Sequence, residues 1–418
     1  MRIAMLSYHT CPLAVLGGKD TGGMNVYVRE ITRQLGQMSI HVDVFTRSQN
    51  EHVPHVLHDL GYGNRIVHIP AGPEYPLPKK ELVAYVPQFV DGIREFARNK
   101  GITYDLIHSH YWMSGMAAIE LKKDWGTPIV NMFHTLGLMK NRVAQSPQEI
   151  EGDYRIDGER EVLRVADKII AATTAEFAQL LWLYRADEDK IMIIPPGVDI
   201  CRFYPIPMDE AKEYIGVPPC RRMLLFVGRI EPLKGLDVLI EAISIMLKNE
   251  MLKENPFCLA VIGGDADENT EANDNLEMSR IKVLTEKAGL GDLVTFLGKK
   301  SQDSLPYYYS AAEAVVVPSQ YESFGMVALE AMACGTPVVA SQIGGLAYLV
   351  QDGETGYTVP VDEPAELARH LTSLLQDADL RARMGKKAVK VAQDYAWDKI
   401  ASRLLTVYEG LLANPVPN

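Results

Sequence analysis

Gly228-Arg229-Ile230-Glu231-Pro232-Leu233-Lys234-Gly235 sets an arginine and a lysine at the end of an apolar run and ahead of a helical one. A planar guanidinium fork beside a mobile ammonium suits a diphosphate, although surface basic residues would look the same. The stretch Pro318 to Leu346 offers a second candidate. A strand ending at Val317, a helix over Phe324 to Cys334 and a strand over Pro337 to Ala340 make a βαβ unit closed by Gly335. The first N–H groups of that helix would point at an anion beyond the strand end. Glu322 lies in the loop before the helix and Glu330 on its second turn, neither in an apolar stripe. Carboxylates beside a phosphate site are best spent on hydroxyls. The simplest ligand with both is a sugar nucleotide, its diphosphate at the helix start and its ribose and hexose on the carboxylates. Solvated acids near a helix N-terminus are the plain alternative.

The first half of the chain has polar clusters of its own. A strand over Arg2 to Tyr8 leads into Leu16-Gly-Gly-Lys-Asp-Thr-Gly-Gly-Met-Asn25 and an amphipathic helix from Val26 to Gln37. Gly22 and Gly23 let a ligand approach bare backbone, and Asn25 can offer an amide there. Lys79 and Lys80 follow a strand ending at Ile69, His108-Ser-His-Tyr111 a strand beginning at Leu106, and His134-Thr135 a strand beginning at Ile129. His108 and His110 could suggest a metal. Alternation of side chains along a strand and the lack of a third acid at matching spacing argue against one. The five cysteines are scattered, with no metal spacing, and read as small buried or neutral residues.

These clusters must be carried by an alternating series of short apolar strands and helices, which means parallel, doubly wound sheets with ligands at the carboxyl ends of strands. At 418 residues the chain needs two or three domains. Pro195-Pro196-Gly197 marks a boundary, and a new βα series starts near Met223. The reading is a first domain over 1–195, a second over 196–393 and a tail over 394–418 that returns to the first, its helical run interrupted at Tyr395-Ala396-Trp397. A net charge of −12 argues against general nucleic-acid binding and requires a local basic cluster for any anionic ligand. No apolar run reaches membrane-spanning length and no signal-peptide pattern precedes the first strand, so a cytoplasmic protein is expected.

The set Gly22-Gly-Met-Asn-Val-Tyr, His108-Ser-His-Tyr-Trp, Pro195-Pro-Gly-Val-Asp, Phe226-Val-Gly-Arg-Ile and Glu322-Ser-Phe-Gly with Glu330 resembles the retaining glycosyltransferases of family 4, over nearly the whole chain. The N-terminal half is most similar to those that transfer N-acetylglucosamine to inositol phosphate in the mycothiol pathway, and bacterial sucrose-phosphate synthases are near relatives. The resemblance implies a GT-B fold: two Rossmann-like α/β domains with a cleft between them and a C-terminal helix crossing back. It implies that Glu330 holds the ribose, Arg229 and Lys234 the diphosphate, and Glu322 the hexose. Gly23 and the amides of Phe324, Gly325, Met326 and Val327 would approach phosphates and hexose, His134 would sit by the reacting carbon, and Lys300 near the base. Lys79, Tyr111, Thr135 and Arg155 match positions that grip an acceptor phosphate, with Asn25 beside them. Two segments depart from the family: Ile156-Asp-Gly-Glu-Arg-Glu is unusually charged, and Ala266 to Asn275 is acidic.

The expected chemistry is front-sided attack of an acceptor hydroxyl on the anomeric carbon of a UDP-sugar after domain closure, with the departing phosphate taking the proton. Cationic side chains stand in for a metal ion, so no cofactor or catalytic metal is expected; a homodimer is left open. A glycan phosphorylase, which would need lysine-bound pyridoxal phosphate, and a non-catalytic sugar-nucleotide binding protein are the rivals. A dehydrogenase is disfavoured, because neither domain carries G-x-G-x-x-G with a ribose acid about twenty residues on.

Overall fold

A computed structural model describes residues 1–14, 21–144, 147–218, 221–248, 256–264 and 272–413; for 148 and 272–275 only the backbone is described. Leu16 to Asp20 of the glycine loop, Cys220, and residues 266–271 of the acidic insert lie outside the described residues.

The chain divides into two compact units, one made of the described residues up to Pro196 together with Trp397–Ala413, the other of Gly197–Ala396. The first is built on an eight-stranded sheet of β1 (Arg2–Leu6), β2 (His41–Arg47), β3 (Val56–Leu57), β4 (Arg65–Ile69), β5 (Leu106–His110), β6 (Ile129–Met132), β7 (Lys168–Ala171) and β8 (Ile191–Ile193), in the order β3-β4-β2-β1-β5-β6-β7-β8. All pairs are parallel except β3 with β4. The second unit holds an all-parallel sheet of β9 (Arg222–Val227), β10 (Phe257–Ile262), β11 (Val294–Phe296), β12 (Ala314–Val317), β13 (Val338–Ser341) and β14 (Gly356–Val359), in the order β11-β10-β9-β12-β13-β14. Runs such as Ile3-Ala-Met-Leu6 and Ala314-Val-Val-Val317 are buried on both faces. Helices therefore cover both sides, which is why these strands read as continuous apolar runs. Each large side chain sealed in this way contributes about 1.5–3 kcal/mol.

In each sheet the first strand sits in the middle, and successive strands leave it in opposite directions. The switch falls between β1 and β5 in one unit and between β9 and β12 in the other. The carboxyl ends flanking such a switch are where a doubly wound sheet leaves room for a ligand.

Several boundaries differ from the sequence reading. The chain leading to Lys100 runs as a short helix Lys79–Leu82, a 3-10 turn and a helix that starts only at Val86. Pro87 in its first turn has no N–H to extend the ladder backward. The helix after β12 is Met326–Ala333, two residues shorter at its start than expected, because Gly325 takes φ 104 as the N-cap. The helical run does break where expected, at Tyr395-Ala396, into Ala378–Gln393 and Trp397–Ala413, and the second of these packs on the helix Gly23–Gln37. At the crossover into the second unit, Val198 N–H donates to the Tyr395 carbonyl at 2.8 Å.

Candidate functional site

In the second unit the switch-point loops are laced together by backbone. Lys234 closes a 3-10 turn, Pro232–Lys234, after β9, and Gly235 follows at φ 66. A Cβ on Gly235 would lie 2.0 Å from the Pro318 carbonyl oxygen, so only glycine lets the β9 and β12 loops approach this closely. Gln320 N–H donates to the Leu233 carbonyl at 2.8 Å. From the other side Gly344, at φ 45, presses on the Glu322 carbonyl, where a Cβ would sit 1.9 Å away. The loop carrying Glu322 is thus held between two glycine contacts.

On that frame Lys234 Nζ meets Glu322 Oε2 at 2.6 Å, both side chains about one-fifth exposed. Arg229, after β9, pairs with Glu231 at 2.7 Å. The start of the helix Met326–Ala333 lies in the same loop cluster: Phe324 and Gly325 are buried, while Met326 and Val327 are half-buried. Glu330 differs from expectation. The helix is buried all round from Ala328 to Ala333, so there is no apolar stripe for Glu330 to avoid. Glu330 is itself buried and accepts a 2.7 Å hydrogen bond from the Tyr309 hydroxyl. Lys300 lies in the loop after β11, its ammonium 5.8 Å from the Tyr308 ring centre.

In the first unit four of the expected acceptor residues converge. Arg155, 1% exposed on the helix Asp153–Val165, donates from Nη2 to the Thr135 carbonyl at 3.0 Å and to Thr135 Oγ1 at 3.1 Å. Its guanidinium lies 5.0 Å from the Tyr111 ring centre and the Lys79 ammonium 5.8 Å from it. Arg155 is positioned by Glu159, fully buried, at 2.8 Å and by Glu151 at 2.7 Å. Glu159 also accepts from Gly137 N–H at 3.0 Å and from the Tyr184 hydroxyl. Within the unusually charged segment after Arg155, Glu159 is therefore the buried counter-ion of the guanidinium, while Asp157 and Arg160 pair with each other at the surface. Burial works against charge on Glu151, but Arg155 and Lys140 hold its carboxyl below the usual range.

His134 and Tyr111 stand at the ends of the neighbouring strands β6 and β5 with φ 62 and 75. A bulky side chain in left-handed backbone is costly, and such strain concentrates at functional positions. Burial pushes the His134 imidazole down to about 3, so it is neutral. His108 and His110 belong to β5 rather than to the loop beyond it, and both are fully buried. The alternation argument against them as a pair fails: two residues apart they share a face, with ring centres 4.2 Å apart. No group of three or more His, Cys, Asp and Glu among the described residues is arranged to hold a metal.

Asn25 behaves differently from the expected ligand-facing amide. Its Nδ2 donates to Thr10 Oγ1 at 2.7 Å and to the Cys11 carbonyl at 2.8 Å, and its Oδ1 accepts from Gly22 N–H at 2.9 Å. It latches the loop after β1 to the start of the helix Gly23–Gln37, where Gly23 is exposed as the first helical residue.

Residues 21–202 match the model of Glycosyltransferase Family 4, and residues 208–391 that of Glycosyl transferases group 1. The D-inositol 3-phosphate glycosyltransferase 2 of Catenulispora acidiphila is 39% identical, over 97% of this chain and 94% of its own. The chain belongs to glycosyltransferase family 4. The D-inositol 3-phosphate glycosyltransferase of Thermomonospora curvata is likewise 39% identical, over 98% of this chain and 95% of its own. Among solved structures, the sucrose-phosphate synthase of Thermosynechococcus elongatus superposes with a TM-score of 0.89 at 34% identity, covering 99% of both chains. This family 4 chain thus carries two parallel-sheet domains of the GT-B type and transfers a glycosyl group between small molecules. No helix among its described residues is long and apolar enough to cross a membrane.

Sequence reasoning passed over one residue of the acceptor cluster. His9, buried after β1, has its ring 4.6 Å from that of Tyr111. Burial, then the charges of Lys79 and Arg155 together with His134, push its imidazole well below the ordinary value. The available signal was its position at the carboxyl end of a switch-point strand. Arg47 was missed for lack of any signal: it lies 1% exposed, donating to the carbonyls of Ala71 at 2.8 Å and Tyr75 at 3.2 Å, and so shapes the loop that leads to Lys79.

Proposed function

We propose that the protein is a retaining hexosyltransferase that moves N-acetylglucosamine or glucose from a UDP-sugar to a hydroxyl of a phosphorylated acceptor such as inositol phosphate. The observation that carries this reading is the convergence of Arg155, Lys79, Tyr111 and Thr135 at the β1/β5 switch point. A dianion needs several convergent donors, and a fork-shaped guanidinium already braced by Glu159 keeps its geometry when a phosphate arrives. The names of the relatives support an inositol phosphate acceptor.

On the donor side, Arg229, Lys234 and the first amides of the helix Met326–Ala333 supply positive charge for the diphosphate. Glu322 is assigned to hexose hydroxyls and Glu330 to the ribose. In the reaction the acceptor oxygen bonds to the anomeric carbon on the face that the UDP leaves. The C–O bond to the β-phosphate breaks, and that phosphate takes the acceptor's proton. Charge growing on the leaving diphosphate is stabilised by cations and peptide dipoles fixed before the reaction begins, usually the largest contribution to such catalysis. This places no demand on a metal ion.

A second acceptor, fructose 6-phosphate, is favoured by the likeness to sucrose-phosphate synthase. The test is a screen of UDP-, ADP- and GDP-sugars against inositol 1-phosphate and fructose 6-phosphate, read by nucleotide release. Transfer to one phosphorylated acceptor and not to its dephosphorylated form is expected. UDP binding by calorimetry with no transfer to either acceptor would make the protein a binding protein instead. Absorbance of a lysine-bound pyridoxal phosphate would make it a phosphorylase.

A further inference from the structure

Beneath His134 runs a row of buried polar rings. The Tyr408 hydroxyl, on the helix Trp397–Ala413, lies 2.7 Å from His108 Nδ1. The His108 and His110 ring centres are 4.2 Å apart, and His110 Nδ1 lies 3.0 Å from His134 Nε2. Tyr27 sets its ring edge-on to both His110 and His134, at 5.5 and 5.4 Å between centres. All of Tyr408, His108 and His110 are fully buried, and the Nε2 atoms of His108 and His110 have no partner among the described residues. Nδ1 of His134 bonds to no described residue.

The 3.0 Å contact between two neutral imidazoles holds a single proton, and only two arrangements supply it. Either His134 donates and His110 keeps its own proton on Nε2, or His110 donates from Nδ1 and leaves Nε2 as a bare lone pair. The first buries an N–H with no acceptor, which folded proteins avoid more strictly than an unused lone pair. The neighbouring ring points the same way. The Tyr408 hydroxyl has a proton to give to His108 Nδ1, which puts the His108 proton on Nε2. That already leaves one buried N–H without a partner on His108, and a proton on His110 Nε2 would add a second.

We propose that His110, itself ordered by Tyr408 and His108, is a positioning residue that fixes His134 in the tautomer protonated at Nδ1, so that His134 meets its ligand as a hydrogen-bond donor. Which nitrogen of a histidine carries the proton is set by the bond that the other makes. Placing that donor beside the transferred sugar rests on the function proposed above; the assignment of the tautomer does not.

The experiment is a long-range proton–nitrogen NMR correlation on the full chain labelled at histidine nitrogens, with His134→Gln to assign the signals. The wild-type protein is expected to show His134 with a pyrrole-like Nδ1 and a pyridine-like Nε2. His110→Leu is expected to mix the two tautomers and lower kcat about tenfold, the scale of one hydrogen bond, with donor KM within about twofold. His110→Asn, whose amide N–H can replace Nδ1–H, should recover most of both. If His110→Leu does not fold, Tyr408→Phe reads the same chain from its far end and should shift the His134 signals partway. A wild-type His134 protonated at Nε2, or an unchanged tautomer in His110→Leu, overturns the proposal. The expected tautomer together with full turnover in His134→Gln would instead sink the placement of His134 beside the sugar and leave the tautomer assignment standing.

Discussion

Lys234→Ala separates chemistry from stability more cleanly than any other change in the donor site. Lys234 and Glu322 form a 2.6 Å pair with side chains 22% and 18% exposed. A pair so placed stabilises the fold by about 1 kcal/mol or less, since solvent screens it and two side chains must be ordered to make it. Removing it from a unit of this size should lower Tm by about 2–4 °C. Turnover stands to lose far more. If the ammonium faces charge that grows on the leaving diphosphate, deleting it removes a preorganised contribution of about 3–4 kcal/mol, a factor of roughly 10² to 10³ in kcat. The assay is initial-rate UDP release at saturating donor and acceptor, beside a thermal melt of the same preparation. Lys234→Arg should keep the charge and recover part of the rate. A Lys234→Ala protein with more than about a third of wild-type kcat would refute the assignment. So would a large fall in Tm with kcat unchanged, which would make the lysine a structural counter-ion of Glu322.

Arg155→Ala should destabilise the first unit by about 3–5 kcal/mol in denaturant titrations, because it strands the buried Glu159 carboxylate. The double variant Arg155→Met with Glu159→Leu should regain much of that stability and still fail to saturate with phosphorylated acceptor. Gly344→Ala would set a Cβ 1.9 Å from the Glu322 carbonyl oxygen, so it should push the Glu322 loop aside and raise donor KM on the order of tenfold, about 1.4 kcal/mol. Its acceptor KM should stay unchanged, and a normal donor KM would show the contact to be incidental. Burial raises the Glu176 carboxyl from 4.5 to about 7. Between those values the unfolded chain has given up a proton that the folded one keeps, so stability falls as pH rises, by about 1.4 kcal/mol per unit. Glu176→Gln should therefore be close to neutral at pH 4 and clearly stabilising at pH 8 in urea unfolding; equal effects at both would refute the linkage.

Much of the architecture was legible before any coordinate. Runs such as Ile3-Ala-Met-Leu6 and Ala314-Val-Val-Val317, spaced by helical periods, can only be strands buried on both faces, and two such series imply two parallel sheets. The basic residues after β9, the glycine loop after β1 and the polar residues after β5 and β6 were found because parallel strands end on one edge, whatever the loops between them do. Tertiary structure decided the pairings, which join residues that no local spacing relates. It put Lys234 on Glu322, made Asn25 a latch, gave Arg155 its buried Glu159, and set His108 against His110 beneath a strained His134. Periodicity reports which side of a strand or helix faces inward; partner choice depends on which other element arrives there, and that is settled only when the whole chain packs.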